Sequence, residues 1–195
     1  MAIANRMATQ SANPQPYIEP IFIGLAGRTG AGKTAAAKYL SDKYGFQYKR
    51  YSQVLAEWRS VSGAERDQLQ QVGWSIMAGG FQEELNARLI AGIDPTRNAA
   101  IDGLRHMVDF QSLSSAFGYS FEMIFLDAAR EVRFERQTRF STIPEFDSAE
   151  SHPVEAHIDD LRSRATITIR NDGCPEQLYQ RLDVWLASRR SGDRR

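Results

Sequence analysis

The sequence predicts a single α/β domain built on a five-stranded parallel sheet with helices on both faces. Three observations carry that prediction. Short strand-like runs alternate with helical patterns between residues 20 and 188. The first run, residues 21–26, is apolar and leads through a glycine-rich loop directly into a helical pattern. The last segment, residues 175–188, sets Leu178, Leu182, Trp185 and Leu186 on one helical face, as a closing layer needs.

The elements follow in order. Residues 21–26 form a buried strand, and residues 34–44 a helix that Gly45 stops. Residues 46–51 suit a second strand. Helical patterns cover 53–60, 64–79 and 81–91, broken near Ser62-Gly63 and Gly79-Gly80. A third strand spans 98–102, a helix 107–117 and a fourth strand 121–126. Residues 131–139 read as helix. Residues 141–153 contain Pro144, Pro153, serines and acidic groups, and read as a mobile loop. Residues 154–164 read as a further helix, and 166–169 as the fifth strand. Residues 1–19, rich in Ala, Asn, Gln and Pro, read as a flexible lead-in, and 189–195 as a solvated tail.

Composition narrows the function. At 195 residues and 42% hydrophobic content, the chain is long enough for one domain with a real core. Formal net charge is zero, from 24 basic and 24 acidic residues, so the strong basic excess of a nucleic-acid-wrapping protein is missing. No run of about 18 apolar residues offers a membrane span, and no apolar signal core begins the chain. The lone Cys174 rules out a disulfide within the chain. A cytoplasmic protein with a small-molecule partner is expected.

Gly27-Arg28-Thr29-Gly30-Ala31-Gly32-Lys33-Thr34 fits G-x-x-x-x-G-K-[ST], with a strand before it and a helix after it. The glycines let successive N–H groups point inward, and the helix start adds partial positive charge. Gly27, Thr29, Gly30, Ala31 and Gly32 are therefore expected to cradle the phosphates of ATP. Lys33 is expected to reach the β- and γ-phosphates, and the Thr34 hydroxyl to ligate Mg²⁺.

Asp102 stands where the apolar third strand ends, a place from which a carboxylate can hold Mg²⁺ or orient an attacking group. Capping the next helix is its other role. Arg105 is expected to grip an anionic substrate as a two-pronged donor. Arg133 and Arg136 share a helical face, as do Arg136 and Arg139. They read either as a solvated, salt-bridged face or as cations over a transferring phosphoryl group, with 141–153 beside them as a closing lid. His152, His157, Asp159 and Asp160 read as solvated residues rather than metal ligands.

These pieces, in this order, resemble the nucleoside-monophosphate-kinase superfamily of P-loop enzymes, most of all its dephospho-CoA-kinase-like and deoxynucleoside-monophosphate-kinase-like branch. The resemblance spans about residues 20–188. It rests on Ile23-Gly24-Leu25-Ala26-Gly27, Ile101-Asp102-Gly103-Leu104-Arg105, Phe125-Leu126-Asp127-Ala128, Val132-Arg133-Phe134-Glu135-Arg136 and Ile169-Arg170-Asn171-Asp172-Gly173. It implies a three-layer P-loop NTPase fold with acceptor-binding helices at about 52–92 and a small lid at about 133–155. It further implies that Asn171 and Gly173 lie against adenine, that Asp102 and Arg105 face the acceptor, and that Lys33, Asp102, Arg133 and Arg136 carry catalysis.

The sequence departs from that pattern in two places. Ser52-Gln53-Val54-Leu55 is followed by Ala56 where such kinases often carry an acceptor-binding arginine, which leaves Arg59 and Arg88 as substitutes beside Ser52. The Arg136-to-Arg139 spacing is one residue shorter than the expected lid pair. Three functions remain in order of preference. The first is a (deoxy)nucleoside monophosphate kinase forming the diphosphate, and the second a dephospho-CoA-type or other hydroxyl-directed small-molecule kinase. The third is a nucleotide-dependent regulatory module. Phe46, Tyr48, Tyr51, Trp58, Trp74 and Phe81 border the acceptor region, as core or as stacking surfaces.

Overall fold

Five parallel strands in the order β2-β3-β1-β4-β5 form the centre of the molecule. They are β1 (Phe22–Ala26), β2 (Gln47–Arg50), β3 (Ala99–Leu104), β4 (Phe121–Asp127) and β5 (Ile167–Arg170). The computed structural model describes residues 19–60, 66–137 and 142–190. Most of the flexible lead-in expected over 1–19, and residues 191–195 of the expected tail, therefore lie outside the described residues, as do Ser62, Gly63 and Arg139.

Strand periodicity divides the core into two layers. Along β1, Phe22 and Ala26 point to one side, and Ile23 and Leu25 to the other. The second side packs on α1 (Lys33–Tyr44) and α9 (Pro175–Arg190) through Ala36, Ala37, Leu40, Leu178, Leu182, Trp185 and Leu186. The first side packs on α2 (Tyr51–Trp58), α3 (Arg66–Ala78), α4 (Gln82–Ala91) and α5 (Met107–Phe117) through Leu55, Ile76, Leu85, Leu89 and Leu113. The predicted α/β architecture with helices on both faces is the one observed. Between β1 and β3 the chain leaves in opposite directions, which opens a crevice at the carboxyl ends of the strands.

Local corrections concern element ends and the expected loop. Tyr51 opens α2 instead of ending β2; its buried side chain donates to Asn86 Oδ1 at 2.5 Å and ties α2 to α4. Helix α6 (Arg130–Gln137) is the described part of the helix expected over 131–139, the rest of which lies outside the described residues. The mobile loop expected over 141–153 contains α7 (Ile143–Glu150). Pro144 sits in its first turn, where a missing N–H costs nothing. Glu145 Oε2 accepts the Thr142 N–H at 2.6 Å, and Phe146 buries the inner face against Phe134. The single helix expected over 154–164 is instead the short α8 (Pro153–Ala156) followed by a 3-10 segment, Asp159–Arg164. That segment drops Leu161 into the core beside Ile158. Helix α9 runs to Arg190, two residues past its expected end.

Candidate active site

The loop between β1 and α1 has the backbone its glycines permit. Gly30 and Gly32 take φ of 82° and 105°, a region that side chains disfavour. Both also lack room for one. A Cβ on Gly30 would lie 2.7 Å from Arg133 O, and one on Gly32 would lie 2.5 Å from Asn171 Nδ2. Lys33 is buried, and its Nζ donates to Gly27 O at 2.5 Å and to Arg28 O at 3.0 Å. The ammonium thus folds back over the loop, at the N-terminus of α1, where backbone N–H groups favour an anion.

Thr34 begins the second link. Its hydroxyl donates to Asp102 Oδ2 at 2.7 Å. Asp102 is only 2% exposed and also accepts the Tyr48 hydroxyl at 3.0 Å, with Arg50 Nε 3.7 Å away. Register explains the cluster: Arg50 pairs with Asp102 across β2 and β3, and Leu25 pairs with it from β1. Burial and the Asp102 charge push the Tyr48 phenol up to about 12, so it remains a hydrogen-bond donor.

A third group meets the loop from α8. Glu155, 1% exposed, pairs with Arg105 Nη1 and accepts the Thr29 hydroxyl at 3.1 Å and, more loosely, the Thr29 N–H at 3.4 Å. Burial works against its charge. The Arg105 and Lys33 cations, with hydrogen bonds from Arg105 and Thr29, outweigh that effect and hold the carboxyl below its ordinary value. Arg105 is fixed at its backbone as well. Asp109 Oδ2 accepts the N–H of Arg105 at 2.9 Å and of His106 at 3.0 Å, and Asp109 Oδ1 accepts Gln82 Nε2 at 2.6 Å. Burial lowers the His106 pKa, with Arg105 acting the same way and Asp109 partly opposing it.

These residues line a cavity of about 470 Å³ at the carboxyl ends of β1, β2 and β3, within the size range of small-ligand sites. Thr29, Gly30, Lys33 and Thr34 form its loop side. Arg50, Ser52, Gln82, Asp102, Arg105, His106, Asp109 and Glu155 form a hydrogen-bonding wall, with Tyr51, Leu55 and Leu85 as its apolar part.

Arg133 and Arg136 do not stand as a solvated row. Arg133 is buried, bonds Ala128 O at 3.1 Å and Thr29 O at 3.3 Å, and pairs with Glu150 of α7. Arg136 joins Gly30 O, at 3.4 Å, to Gly173 O, at 2.9 Å, and burial lowers its pKa. Both therefore hold the carbonyl side of the loop. Asn171 Nδ2 does the same at Ala31 O, 2.9 Å away. Glu150 and Asp147 also pair with Arg130, and Arg28 bonds Asp159 at 2.8 Å, so α7 and the 3-10 segment are docked on the loop.

Other expectations fall elsewhere. Ser52 lines the cavity, but Arg59 and Arg88 do not. The Arg59 guanidinium lies 4.3 Å from the Trp58 ring centre, and Arg88 lies 4.7 Å from it while pairing with Glu84 at 2.7 Å. Trp58, Trp74 and Phe81 are likewise outside the cavity lining. His157 bonds Asp160 at 3.4 Å, Asp159 serves Arg28, and His152 meets the edge of Trp74. Sequence reasoning missed Arg50, Gln82, His106, Asp109 and Glu155. Arg50, at the carboxyl end of a strand, was the one with a usable signal.

No protein-family model matches the sequence, and no curated protein matches it. Solved structures do match the fold. Shikimate kinase from Acinetobacter baumannii in complex with shikimate superposes with a TM-score of 0.63 at 16% identity, over 87% of this chain and 94% of that one. A sugar kinase from Janibacter sp. HTCC2649 gives 0.53 at 17%, over 86% and 95%. The APS kinase CysC from Mycobacterium tuberculosis, in complex with AMPPNP and APS, gives 0.53 at 13%, over 87% and 99%. The chain thus shares the three-layer fold of these P-loop kinases.

Proposed function

We propose that the protein is an ATP-dependent phosphotransferase whose acceptor is a hydroxyl group on a small polar molecule held in the 470 Å³ cavity. The observation that carries this reading is the hydrogen bond from Thr34 to Asp102, which joins the phosphate-type loop to the acceptor cavity through one buried carboxylate.

The residues present fit a bound polyphosphate. Gly30 and Gly32 take the positive φ that lets loop N–H groups turn inward and pack directly on Arg133 and Asn171 behind them, with Gly27, Thr29, Ala31 and Lys33 on the same loop at the start of α1. Thr34 and Asp102 would hold Mg²⁺, and Asn171 and Gly173, bonded to Ala31 and Arg136 behind the loop, would lie against adenine. Mg-ATP, when bound, supplies the phosphoryl group and screens its charge.

The chain's own residues do the rest. Lys33 exchanges its two loop carbonyls for phosphate oxygens. Asp102, oriented by the Tyr48 and Thr34 hydroxyls, would take the proton of the attacking hydroxyl. Arg133 and Arg136 stiffen the loop from its carbonyl side, so its N–H groups need no rearrangement as charge develops.

Several features favour a hydroxyl over a nucleoside monophosphate. A monophosphate needs uncompensated cations and its base a stacking surface. Here Arg105 already pairs with Glu155, Arg59 and Arg88 are engaged outside the cavity, Trp58, Trp74 and Phe81 do not line it, and Tyr51, which does, is buried with its hydroxyl bonded to Asn86. Sugars, named for one structure of this fold, offer hydroxyls. A regulatory module would have no use for such a cavity.

ADP release from Mg-ATP, measured over sugars, polyols, hydroxy acids, dephospho-CoA and nucleoside monophosphates, tests the proposal. Acceleration by a hydroxyl acceptor is expected. Acceleration by monophosphates alone would restore the nucleotide-kinase reading. Binding of ATP with no acceleration by any compound would favour the regulatory module.

A further inference from the structure

Glu155 has no part in phosphoryl transfer as proposed above, yet it occupies the junction of the loop and the cavity. It reaches Arg105 from 50 residues away in sequence, on a different element, and is 1% exposed. A buried carboxylate is retained only with strong partners, and Arg105 with the Thr29 hydroxyl and N–H supplies them. The Arg105 side chain stays 32% exposed and lines the cavity.

We infer that Glu155 sets acceptor selectivity: it neutralises Arg105, so that this end of the cavity takes uncharged hydrogen-bonding groups, hydroxyls above all, and rejects phosphate and carboxylate. The inference rests on the phosphotransferase reading and deepens it. An anion docking on Arg105 gains one cation but meets the Glu155 charge beside it, so the two effects cancel. Asp109, bonded to the Arg105 and His106 N–H groups, adds a second negative charge on the same wall. Arg50 does not reverse the balance, because Asp102 lies 3.7 Å from it. A hydroxyl keeps a hydrogen bond from Arg105 and meets no such repulsion.

Glu155 acts here through Arg105, as a positioning residue. The full-length protein is first titrated with Mg-AMPPNP, which fills the loop, and then with inorganic phosphate, both by calorimetry. Phosphate is expected to bind the wild type weakly and Glu155→Gln at least tenfold more tightly. Glu155→Asp is expected to return to wild-type behaviour, and Glu155→Gln with Arg105→Gln to lose the gain. Wild-type affinity equal to that of Glu155→Gln, or a gain that persists without Arg105, would overturn the inference. If Glu155→Gln fails to fold, a phosphate affinity in Glu155→Asp that drops when Arg105→Gln is added would also overturn it, and an unchanged affinity would support it. Failure of AMPPNP to bind counts instead against the phosphotransferase reading, while the Arg105 dependence of phosphate affinity still reads the selectivity alone.

Discussion

Thr34 and Asp102 stand 68 residues apart in sequence and share a 2.7 Å hydrogen bond between the first turn of α1 and the last half of β3. One carboxylate therefore faces both the loop and the cavity. Asp102→Asn keeps the shape but removes the charge and the basicity. Turnover is expected to fall by about 10²–10⁴, the range for a lost general base. Steady-state kinetics with the best acceptor will show this as a loss in kcat larger than any rise in the ATP KM.

Lys33→Ala removes the ammonium that bonds Gly27 O and Arg28 O. The loss of one such contact to the transferring group is expected to cost about 3 kcal/mol, roughly a hundredfold in rate. The thermal stabilisation that Mg-ATP gives the wild type should also vanish. Undiminished ATP turnover would remove Lys33 from the active site.

Gly30→Ala forces a side chain into φ of 82° and against Arg133 O. Strain of this kind costs about 1–3 kcal/mol. For a chain of this size that lowers the melting temperature by roughly 2–4 °C per kcal/mol, readable by calorimetry. Turnover should fall too, because Arg133 must shift away from the loop.

The Glu155 carboxyl, held below its ordinary value in the folded protein, gives stability that is fully present above the usual carboxylate range. That contribution is lost as pH falls through the lowered value. The melting-temperature gap between wild type and Glu155→Gln is therefore expected to be widest near neutral pH and to close in acid. A gap that widens in acid would reverse the assigned sign.

Arg59→Ala and Arg88→Ala should leave the acceptor KM within about twofold, since both guanidinium groups lie on Trp58 outside the cavity. Each should cost only the roughly 0.5–1 kcal/mol of an exposed cation–π contact. Arg50→Ala, which removes a cavity wall residue, should raise that KM severalfold.

The legible part of the site is the part that is contiguous in sequence. Gly27 to Thr34 carries its own spacing and lies between a strand and a helix, and Asp102 announces itself by ending an apolar run. Glu155, Gln82 and Asp109 carry no such mark. Their roles come from packing α8, α4 and α5 around one cavity, and a glutamate near Pro153 resembles any solvated acid until Arg105 stands beside it. The segment 143–150 was misread because Pro144 and its acids match a loop as well as a first helical turn. Phe146 settled the matter by having a buried partner in Phe134.

The strand order has a consequence for the making of the protein. Strand β1 lies between β3 and β4, and the loop that follows it receives the Asn171 hydrogen bond at Ala31 across 140 residues of chain. At about 5–20 residues per second, a ribosome takes roughly 7–28 s to travel that distance. Throughout that interval the loop exists without its final clasp, and for about the first two thirds of it without β4 beside β1. The loop should therefore reach its final packing only after β5 and the Asn171 turn have been made.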